Sequence, residues 1–567
     1  MSATFNTHGC LYIIALYLAL ANGTLSLAAE TEQPDNMRGS TITLLREFRP
    51  IGGANNNLRH PAYDAIPGSP ELNLTPLQFS DSSNGLIDGP NPRTISNVIS
   101  GGTSSSGANG ETNDTVASAW LYVFGQFIDH DLGLESSPPT AADISITIPQ
   151  GDPFFPAGNT IVMTRCVRST ATNTIINTVA GYLDLSQLYG DDQATAASLR
   201  NADGTLQSTE NGQYLPIVDD NFVTGDPRVM ENAELTAVTT LFMREHNYWV
   251  ATLKTQHPKW TGDELYNMAR AINTAEYQNI IYKEYLPVLI GNVLGEYRGY
   301  NPHVQAQVSQ EFTAGAFRVG HSQVSDTQAG RDNDNNVTFT ESLAQSFFNS
   351  PEIDEANGID AVIRDVGQDF SQATDVYAVP VLRNMLFAGL VGGDIDQIDL
   401  IAIDIQRERD VGLGTLNQTR SALGLPVYSS FAALTSDTTL QTNLQTVYGN
   451  INNVDLFIGG LAENHARGAL VGQTFQVIIA DQFRRLREGD RFFWLNQDFD
   501  RRTQEMIERT TLADIVARDT DTAAPFVLQA NLFLAPTTAT TAPTRPNRHI
   551  KVQPSDIDFH GRNVSLK

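Results

Sequence analysis

The sequence predicts a mainly α-helical globular protein with few and short β-strands. Apolar residues recur at helical spacing over 236–256, and a capping box at 261–264 opens a second helical pattern that continues to about Tyr282. The short link between these two segments predicts that they pack as an antiparallel pair. Two more helical patterns run over 343–348 and 471–486, whereas convincing strand alternation is scarce.

Length and charge narrow the function classes. The chain has 567 residues, of which 41% are hydrophobic, so it can bury a large core. Its 36 basic and 64 acidic residues give a formal net charge of −28 at pH 7. A field of this sign repels phosphate backbones and anionic membrane surfaces, which argues against nucleic acid as a partner.

Changes in composition predict four regions. An apolar run near the amino terminus, too short for a comfortable membrane span, predicts a secretory signal peptide over 1–28 and therefore secretion. A short extension follows over 29–44, one mainly helical body covers 45–520, and a tail containing a Thr/Ala/Pro linker covers 521–567. No later stretch of the sequence is long and apolar enough to cross a bilayer.

The cysteine content limits cross-linking of the mature chain. Cleavage of the signal would remove Cys10 and leave Cys166 alone, so no intrachain disulfide is expected. Asn-x-Ser/Thr triplets offer possible glycosylation sites, although polar loops also produce such triplets by chance. They begin at Asn22, Asn73, Asn113, Asn336, Asn417 and Asn563.

The motif GQFIDHD at 125–131 is the most informative stretch of the chain. In a helix, Gln126 and His130 stand four residues apart on one face, while Asp129 and Asp131 project to opposite sides. Burying an imidazole, an amide and two carboxylates beside bulky apolar residues is costly unless each polar group has a partner. This cost favours a functional site, and the alternative is a satisfied cap at a helix end.

Two further segments carry charged or ionisable side chains suited to a site. Arg228 and Glu231 lie just before the predicted 236–256 helix, although an isolated pair of this kind is usually a surface ion pair. His321 follows Gly320, which would let a flat ligand approach closely. The alternative is a hydrogen-bonded structural histidine.

Asp184 and Ser186 form the third segment. We expect them on one side of an extended stretch, where two oxygens can serve a hard cation. The same composition is also typical of an ordinary turn.

Taken in chain order, these segments resemble the motifs of the animal-type haem peroxidases, the peroxidase–cyclooxygenase superfamily. The resemblance begins near NNL at 56–58 and extends to FRRLREGDRF at 483–492, so it covers most of the chain. Between those ends lie QFIDHD at 126–131, LDLSQLYG at 183–190, the Arg228 and Glu231 pair, MREHN at 243–247, FRVGH at 317–321, IQRERD at 405–410 and IGGL at 458–461. The resemblance implies an animal haem peroxidase-like helical domain.

The resemblance also implies haem b as a cofactor and assigns roles around it. His321 matches the proximal iron ligand, which leaves the opposite side of the iron open for peroxide. His130 matches the distal base that moves a proton between the two peroxide oxygens, so the reaction should fail at acid pH. Arg228 matches the distal guanidinium that stabilises charge on the cleaved bond, and Gln126 would hold a distal water or a halide.

Members of the family attach the haem through esters of two carboxylates, and Asp129 and Glu231 occupy those positions. Asn232 stands where one branch of the family has a methionine that forms a further link, so that link is excluded here. The resemblance therefore implies haem that is ester-linked at two points.

The resemblance further implies a structural calcium. Asp131, Asp184 and Ser186 match its side-chain ligands, and the carbonyls of Ala180 and Tyr182 match its backbone ligands. Ala180 replaces a threonine that usually adds a hydroxyl, so we expect weaker binding. Loss of the ion should also disturb the distal side, since Asp131 is next to His130.

Two residues near the proximal side complete the comparison. Asp404 stands where the family usually has an asparagine that accepts from the proximal imidazole. A carboxylate there should increase imidazolate character and lower the reduction potential of the iron. Arg407 matches a partner of a haem propionate, and the alternative is an ion pair within its helix with Asp404 or Asp410.

Three function classes are compatible with these residues. The resemblance favours a peroxidase that uses hydrogen peroxide and oxidises small aromatic donors or halides. A fatty-acid dioxygenase of the same superfamily would need a tyrosine three residues before His321, and Arg318 stands there. A non-catalytic secreted or matrix protein commonly loses the distal histidine or arginine, whereas His130 and Arg228 are both present. The oligomeric state is left open.

Overall fold

The computed structural model describes most of the predicted body. It covers residues 41–80, 84–101, 113–209, 211–219, 221–348, 358–387, 397–522 and 529–536. The predicted signal peptide over 1–28, most of the 29–44 extension and the tail beyond 536 lie outside the described residues. No helix among the residues described is both long and apolar enough to cross a membrane.

The described chain is mainly helical, which confirms the predicted class. The longer helices are α1 (Trp120–Leu132), α2 (Ala233–Gln256), α3 (Gly262–Ile280), α4 (Leu400–Asp410), α5 (Thr438–Tyr448) and α6 (Gln473–Glu488). Shorter α-helices span Pro92–Ile95, Ser186–Tyr189, Gln193–Ser198, Leu286–Leu289, Gln310–Thr313, Gly320–Gln323, Leu343–Ser346, Gly358–Val366, Pro380–Asn384, Leu416–Ala422, Phe431–Leu434, Leu456–Ala462, Arg501–Arg509 and Leu512–Asp519. Single turns of 3₁₀-helix lie at Ile51–Gly53, Pro61–Tyr63, Pro227–Met230, Ala316–Val319, Ile451–Asn453 and Trp494–Asn496, and π-helical turns lie at Ser96–Ser100 and Ile281–Tyr285.

The strands are short and form two-stranded antiparallel pairs. Asn113–Ser118 pairs with Phe370–Gln372, Ile146–Thr147 with Thr160–Ile161, Ile217–Val218 with Asn221–Phe222, and Thr327–Arg331 with Val337–Ser342. In the last pair Thr327 lies opposite Ser342 and Ala329 opposite Thr340. Pairs of this size depend on the helices around them for stability.

The two helices predicted from periodicity and capping are present and pack against each other. α2 begins at Ala233, capped by the side chain of Asn232, and the Thr261–Glu264 capping box opens α3. The indole of Trp249 in α2 donates to Glu276 of α3 over 2.9 Å. The third and fourth predicted helices correspond to Leu343–Ser346 and α6.

The interior around α1 is aromatic, and it positions the functional face of this helix. Phe124 and Phe127 are fully buried, and both rings lie within 6.0 Å of the ring of Phe242 from α2 and of Tyr277 from α3. Gly125 lets a neighbouring segment approach, since a Cβ at this position would lie 2.9 Å from the hydroxyl of Tyr285. The core therefore fixes the rotation and depth of the helix that carries GQFIDHD.

The packed body extends beyond residue 520, where the sequence placed its end. Phe533 is fully buried, with its ring 5.2 Å from Phe124 and 5.5 Å from Tyr285. Its carbonyl accepts from the backbone N–H of Ser118 over 3.1 Å. Part of the predicted tail thus belongs to the core beneath α1.

We predict that Phe533→Ala lowers the free energy of unfolding by about 3–5 kcal/mol, because it leaves a cavity among buried rings. Chemical denaturation measures this change. The matched control is Leu534→Ala, whose side chain is 40% exposed and should cost less than 1 kcal/mol. Equal effects of the two substitutions would contradict the assignment of Phe533 to the core.

Candidate active site

A cavity of about 420 Å³ lies between α1 and the segment that carries His321. Apolar side chains form much of its wall, among them Phe317, Val324, Leu343, Phe347, Leu382 and Ile403. Charged and polar groups converge on it from both sides. A mostly apolar cavity of this size with a few convergent polar groups is the usual form of a cofactor or small-molecule site.

α1 supplies one side of the cavity. Gln126, Asp129 and His130 all line it, as expected from their spacing on a helix. α1 also packs against the short helix Gly320–Gln323, which brings His130 and His321 to the same cavity. The structure therefore unites two histidines that are far apart in the chain.

Arg228 lines the cavity beside His130, and a neighbouring carboxylate holds it there. Asp226 caps the 3₁₀ turn Pro227–Met230, and its carboxylate accepts from Nε and Nη2 of Arg228 over 2.6–3.2 Å. Nη2 also lies 3.3 Å from the carbonyl of His130. The role of Asp226 was not predicted from the sequence, where its only local signal is its position before Pro227.

Glu231 joins the polar groups on the α1 side of the cavity. Its Oε2 accepts from Nε2 of Gln126 over 2.9 Å and lies 3.4 Å from Nε2 of His130. Asn232 donates to Oε1 of Gln126 over 2.9 Å. Despite burial, which favours the neutral acid, His130 and Arg228 hold the pKa of Glu231 below its usual value.

Asp129 is the second carboxylate on this side. It lines the cavity, and burial raises the pKa of its carboxyl above the usual value, with His130 and Arg228 acting in the opposite direction. Asp129 and Glu231 therefore face one cavity from two different elements.

His321 stands on the other side, at the start of the short helix Gly320–Gln323. Its Nδ1 lies 2.6 Å from Oδ2 of Asp404, a fully buried residue of α4. This contact makes Nε2 the nitrogen available to a ligand in the cavity. The space beside Gly320 is open, since even a Cβ at this position would meet no atom within 4 Å. These features fit a haem iron coordinated at Nε2.

Arg318 lines the cavity, a position that the sequence did not predict. Its Nη1 donates to Oδ1 of Asp404 over 2.7 Å, and its Nη2 lies 3.1 Å from Glu135. Its Nε donates to the carbonyl of Thr313 over 3.0 Å. It is the guanidinium that reaches the cavity next to His321, and its charge suits a carboxylate of a bound cofactor.

The position of Arg407 does not agree with the haem-propionate role expected from the resemblance. Its Nη1 pairs with Asp410 over 2.7 Å and its Nε lies 3.0 Å from Glu135. Among the described residues that line the cavity, Arg318 and Arg228 are the arginines, and Arg407 is not one of them. The alternative interpretation, an ion pair within its own helix, is the one observed.

Three of the predicted calcium ligands, Asp131, Asp184 and Ser186, meet at the carboxyl-terminal end of α1. The carboxylate of Asp131 accepts from the backbone N–H groups of Asp184, Leu185 and Ser186 over 2.7–3.1 Å. The hydroxyl of Ser186 donates to it over 2.8 Å. Asp131 thus anchors the 184–186 loop directly beside His130.

The prediction of an extended segment that contains Asp184 and Ser186 is wrong. Leu185 adopts the left-handed conformation with φ 61° and ψ 35°, and the helix Ser186–Tyr189 starts immediately after it. The bend exists because three consecutive N–H groups converge on Asp131, a long-range contact that alternation along the chain cannot report.

Asp184 fits a cation better than Asp131 does. It is 1% exposed, and both of its carboxylate oxygens have no hydrogen-bond partner among the described residues. Arg270 approaches it only to 3.9 Å. No group of three or more histidine, cysteine, aspartate or glutamate side chains in the described chain is arranged for a metal. A calcium here would therefore also draw on the hydroxyl of Ser186 and on carbonyls such as those of Ala180 and Tyr182.

Glu71 is a cavity residue with no motif in the sequence. It is 4% exposed, and its Oε2 accepts from the hydroxyl of Thr313 over 2.7 Å. Burial raises the pKa of Glu71 to about 8, with Glu135 adding to this effect and the Thr313 bond and Arg318 opposing it. A neutral carboxylic acid therefore lines the cavity at neutral pH.

Comparison with known proteins gives a consistent result. The family model described as animal haem peroxidase matches residues 48–533. Peroxinectin A of Dictyostelium discoideum is 30% identical over 530 residues, which cover 87% of this chain and 97% of that protein. Human eosinophil peroxidase is 30% identical over 562 residues, which cover 86% of this chain and 77% of that protein.

Two solved structures bear on the fold. Peroxidase A from Dictyostelium discoideum superposes with a TM-score of 0.76 at 27% identity, covering 86% of this chain and 99% of that one. A fatty acid alpha-dioxygenase from Arabidopsis thaliana superposes with a TM-score of 0.73 over 88% of this chain and 85% of that one. The second pair is only 19% identical, so it shows a shared fold and nothing about chemistry.

We predict that Glu71→Gln stabilises the protein increasingly as pH rises. The carboxyl keeps its proton to about pH 8 in the folded chain, against a usual value of 4.5, so folding requires proton uptake between these values. The wild type therefore loses stability over that window, by about 1.4 kcal/mol per pKa unit, and the amide does not.

Chemical denaturation at pH 5 and pH 8 measures this difference, expected to reach a few kcal/mol at pH 8. Glu505 is half-exposed and pairs with Arg501 at the surface, so the control substitution Glu505→Gln should change stability by well under 1 kcal/mol and equally at both pH values. A Glu71→Gln advantage that is the same at both pH values would argue against a neutral Glu71.

Proposed function

Since the chain belongs to the animal haem peroxidase family, we propose that it is a secreted peroxidase that binds haem b, reduces hydrogen peroxide and oxidises small aromatic donors or halides. One observation carries the proposal. His321, held by the buried Asp404, faces the same cavity as His130 and Arg228, so a ligand-binding imidazole and a proton-handling imidazole share one chamber.

Bound haem would supply the iron and the macrocycle that exchange electrons with peroxide and donor. His321 would hold it through Nε2, and Asp404 fixes the orientation of that ring through Nδ1. Arg318 would meet a carboxylate at the rim of the macrocycle.

The α1 side provides the acid–base groups. His130 would take a proton from one peroxide oxygen and return it to the other. Arg228 would stabilise negative charge on the leaving oxygen, and it carries its own counterion in Asp226, which keeps the guanidinium in place. Gln126 would orient a water or a halide beside them.

We also propose that Glu231 and Asp129 form ester bonds to the haem. The ester of Glu231 would change the surroundings of His130. Its carboxylate holds both Gln126 and His130 in the structure. Conversion to an ester would remove its negative charge and free Nε2 of His130 to act as a base. The second ester would come from Asp129, whose carboxyl burial already disfavours as an anion.

Peroxidase chemistry is favoured over the two alternatives. The position that would carry a radical tyrosine in a dioxygenase holds Arg318, which is committed to Asp404 and Glu135. The likeness to an alpha-dioxygenase rests on fold at 19% identity. A non-catalytic role would not explain why His130 and Arg228 face the same cavity.

We predict that the purified protein shows a Soret band and oxidises guaiacol only when hydrogen peroxide is present. Acid-acetone extraction should leave the haem on the protein, because the proposed esters survive this treatment. A pyridine haemochrome assay of the extracted protein measures the haem that remains. His130→Ala should keep the Soret band and lower the rate of reaction with peroxide by about 10²–10⁴-fold, the usual contribution of a general base.

The matched control is His303→Gln, since His303 is exposed and does not line the cavity. This variant should react with peroxide at the wild-type rate. Absence of a Soret band in the wild type, or full activity in His130→Ala, would overturn the proposed function.

We propose in addition that calcium binds at Asp184, supported by the two unpartnered oxygens of this buried carboxylate. Removal of calcium with a chelator should shift the Soret band and lower the melting temperature, because Asp131 links the site to His130. Asp184→Asn should abolish the response to added calcium. A Soret spectrum and stability unchanged by chelation would contradict the coupling.

A further inference from the structure

A chain of ion pairs links His321 to the fully buried Asp410. Nδ1 of His321 meets one oxygen of Asp404 at 2.6 Å, and Nη1 of Arg318 donates to the other at 2.7 Å. Arg318 then meets Glu135 at 3.1 Å, and Glu135 also lies 3.0 Å from Arg407. Arg407 and Arg165 both pair with Asp410 at the other end of the chain of ion pairs.

The ion pair next to His321 lies in a poorly solvated region. The side chain of Asp404 is fully buried, and that of Arg318 is 15% exposed. A buried carboxylate cannot rely on water to spread its charge, so its two neighbours determine how that charge is shared. The arginine that contacts Asp404 is therefore part of the environment of His321.

The hydrogen bonds to Asp404 determine how its negative charge is shared between His321 and Arg318. A carboxylate that accepts only from an imidazole draws the Nδ1 proton strongly and makes the ring more electron-donating at Nε2. A guanidinium on the second oxygen withdraws electron density from the same carboxylate. The bond to Arg318 should therefore weaken what Asp404 does to His321.

We propose that Arg318 is a positioning residue that limits electron donation from Asp404 through His321 to a bound iron. Glu135 regulates this limit, because it competes with Asp404 for the same guanidinium. The inference rests on the proposed haem function and deepens it. It adds a second residue to the expectation that the Asp404 carboxylate lowers the reduction potential of the iron.

The test is a double-mutant cycle on the haem-bound protein, with the midpoint potential of the iron as the readout. Asp404→Asn should raise the potential, because it removes the anionic acceptor. Arg318→Gln should lower the potential, partly by removing a nearby positive charge and partly by releasing Asp404. Only the second part depends on Asp404, so Arg318→Gln should lower the potential by much less in the Asp404→Asn background.

The iron–histidine stretching frequency, measured by resonance Raman spectroscopy of the ferrous protein, provides a readout of ligand strength. Arg318→Gln should raise this frequency and Asp404→Asn should lower it. Arg165→Gln removes the same charge at the end of the ion-pair chain farthest from His321 and should leave the frequency unchanged. Equal shifts of potential from Arg318→Gln in both backgrounds, with an unchanged frequency, would overturn the proposal.

A second variant tests the proposal if Arg318→Gln does not fold or does not retain haem. Glu135→Gln leaves Arg318 to Asp404 alone, so it should lower the frequency, and this change should vanish in the Asp404→Asn background. A frequency that Glu135→Gln does not alter would overturn the proposal. Absence of a Soret band in the wild type would instead overturn the proposed function, so the two failures are distinguishable.

Discussion

The need to pair every charge buried around one cavity is the constraint on which the site depends. Asp226 neutralises Arg228, and Glu231 bridges Gln126 and His130. On the opposite side, Arg318 and Asp404 form an equivalent pair. A charge left alone in such a place costs several kcal/mol, so each group fixes the position of its neighbour. The same pairing that holds these side chains determines their chemistry.

The aromatic core under α1 turns this electrostatic requirement into a defined geometry. Phe124 and Phe127 fill the space towards α2 and α3, while Phe533 closes it from the end of the described chain. Because this packing leaves little freedom, the opposite face of α1 can present His130 at a fixed depth. The loop held by Asp131 restrains the end of the same helix. Packing and ion pairing therefore act on one element from both sides.

Much of the site could be predicted from the sequence because its signals are local. The four-residue spacing of Gln126 and His130 places both on one helical face, and both line the cavity. The capping box at 261–264 and the apolar period of α2 likewise predicted helices that the structure contains. Asp404 could be matched to His321 only through the order of motifs along the chain, and the two residues are in contact.

The sequence by itself determined the helical class, the residues of the α1 face and the order of the motifs, since these depend on neighbours a few positions apart. The tertiary structure alone decided that Arg318 faces the cavity while Arg407 turns to Asp410, and that Glu71 lies beside them. It also decided the left-handed turn at Leu185. Most of these outcomes depend on contacts across long chain separations, such as those of Arg318 and Arg407 with Glu135, and a linear pattern carries no measure of that distance.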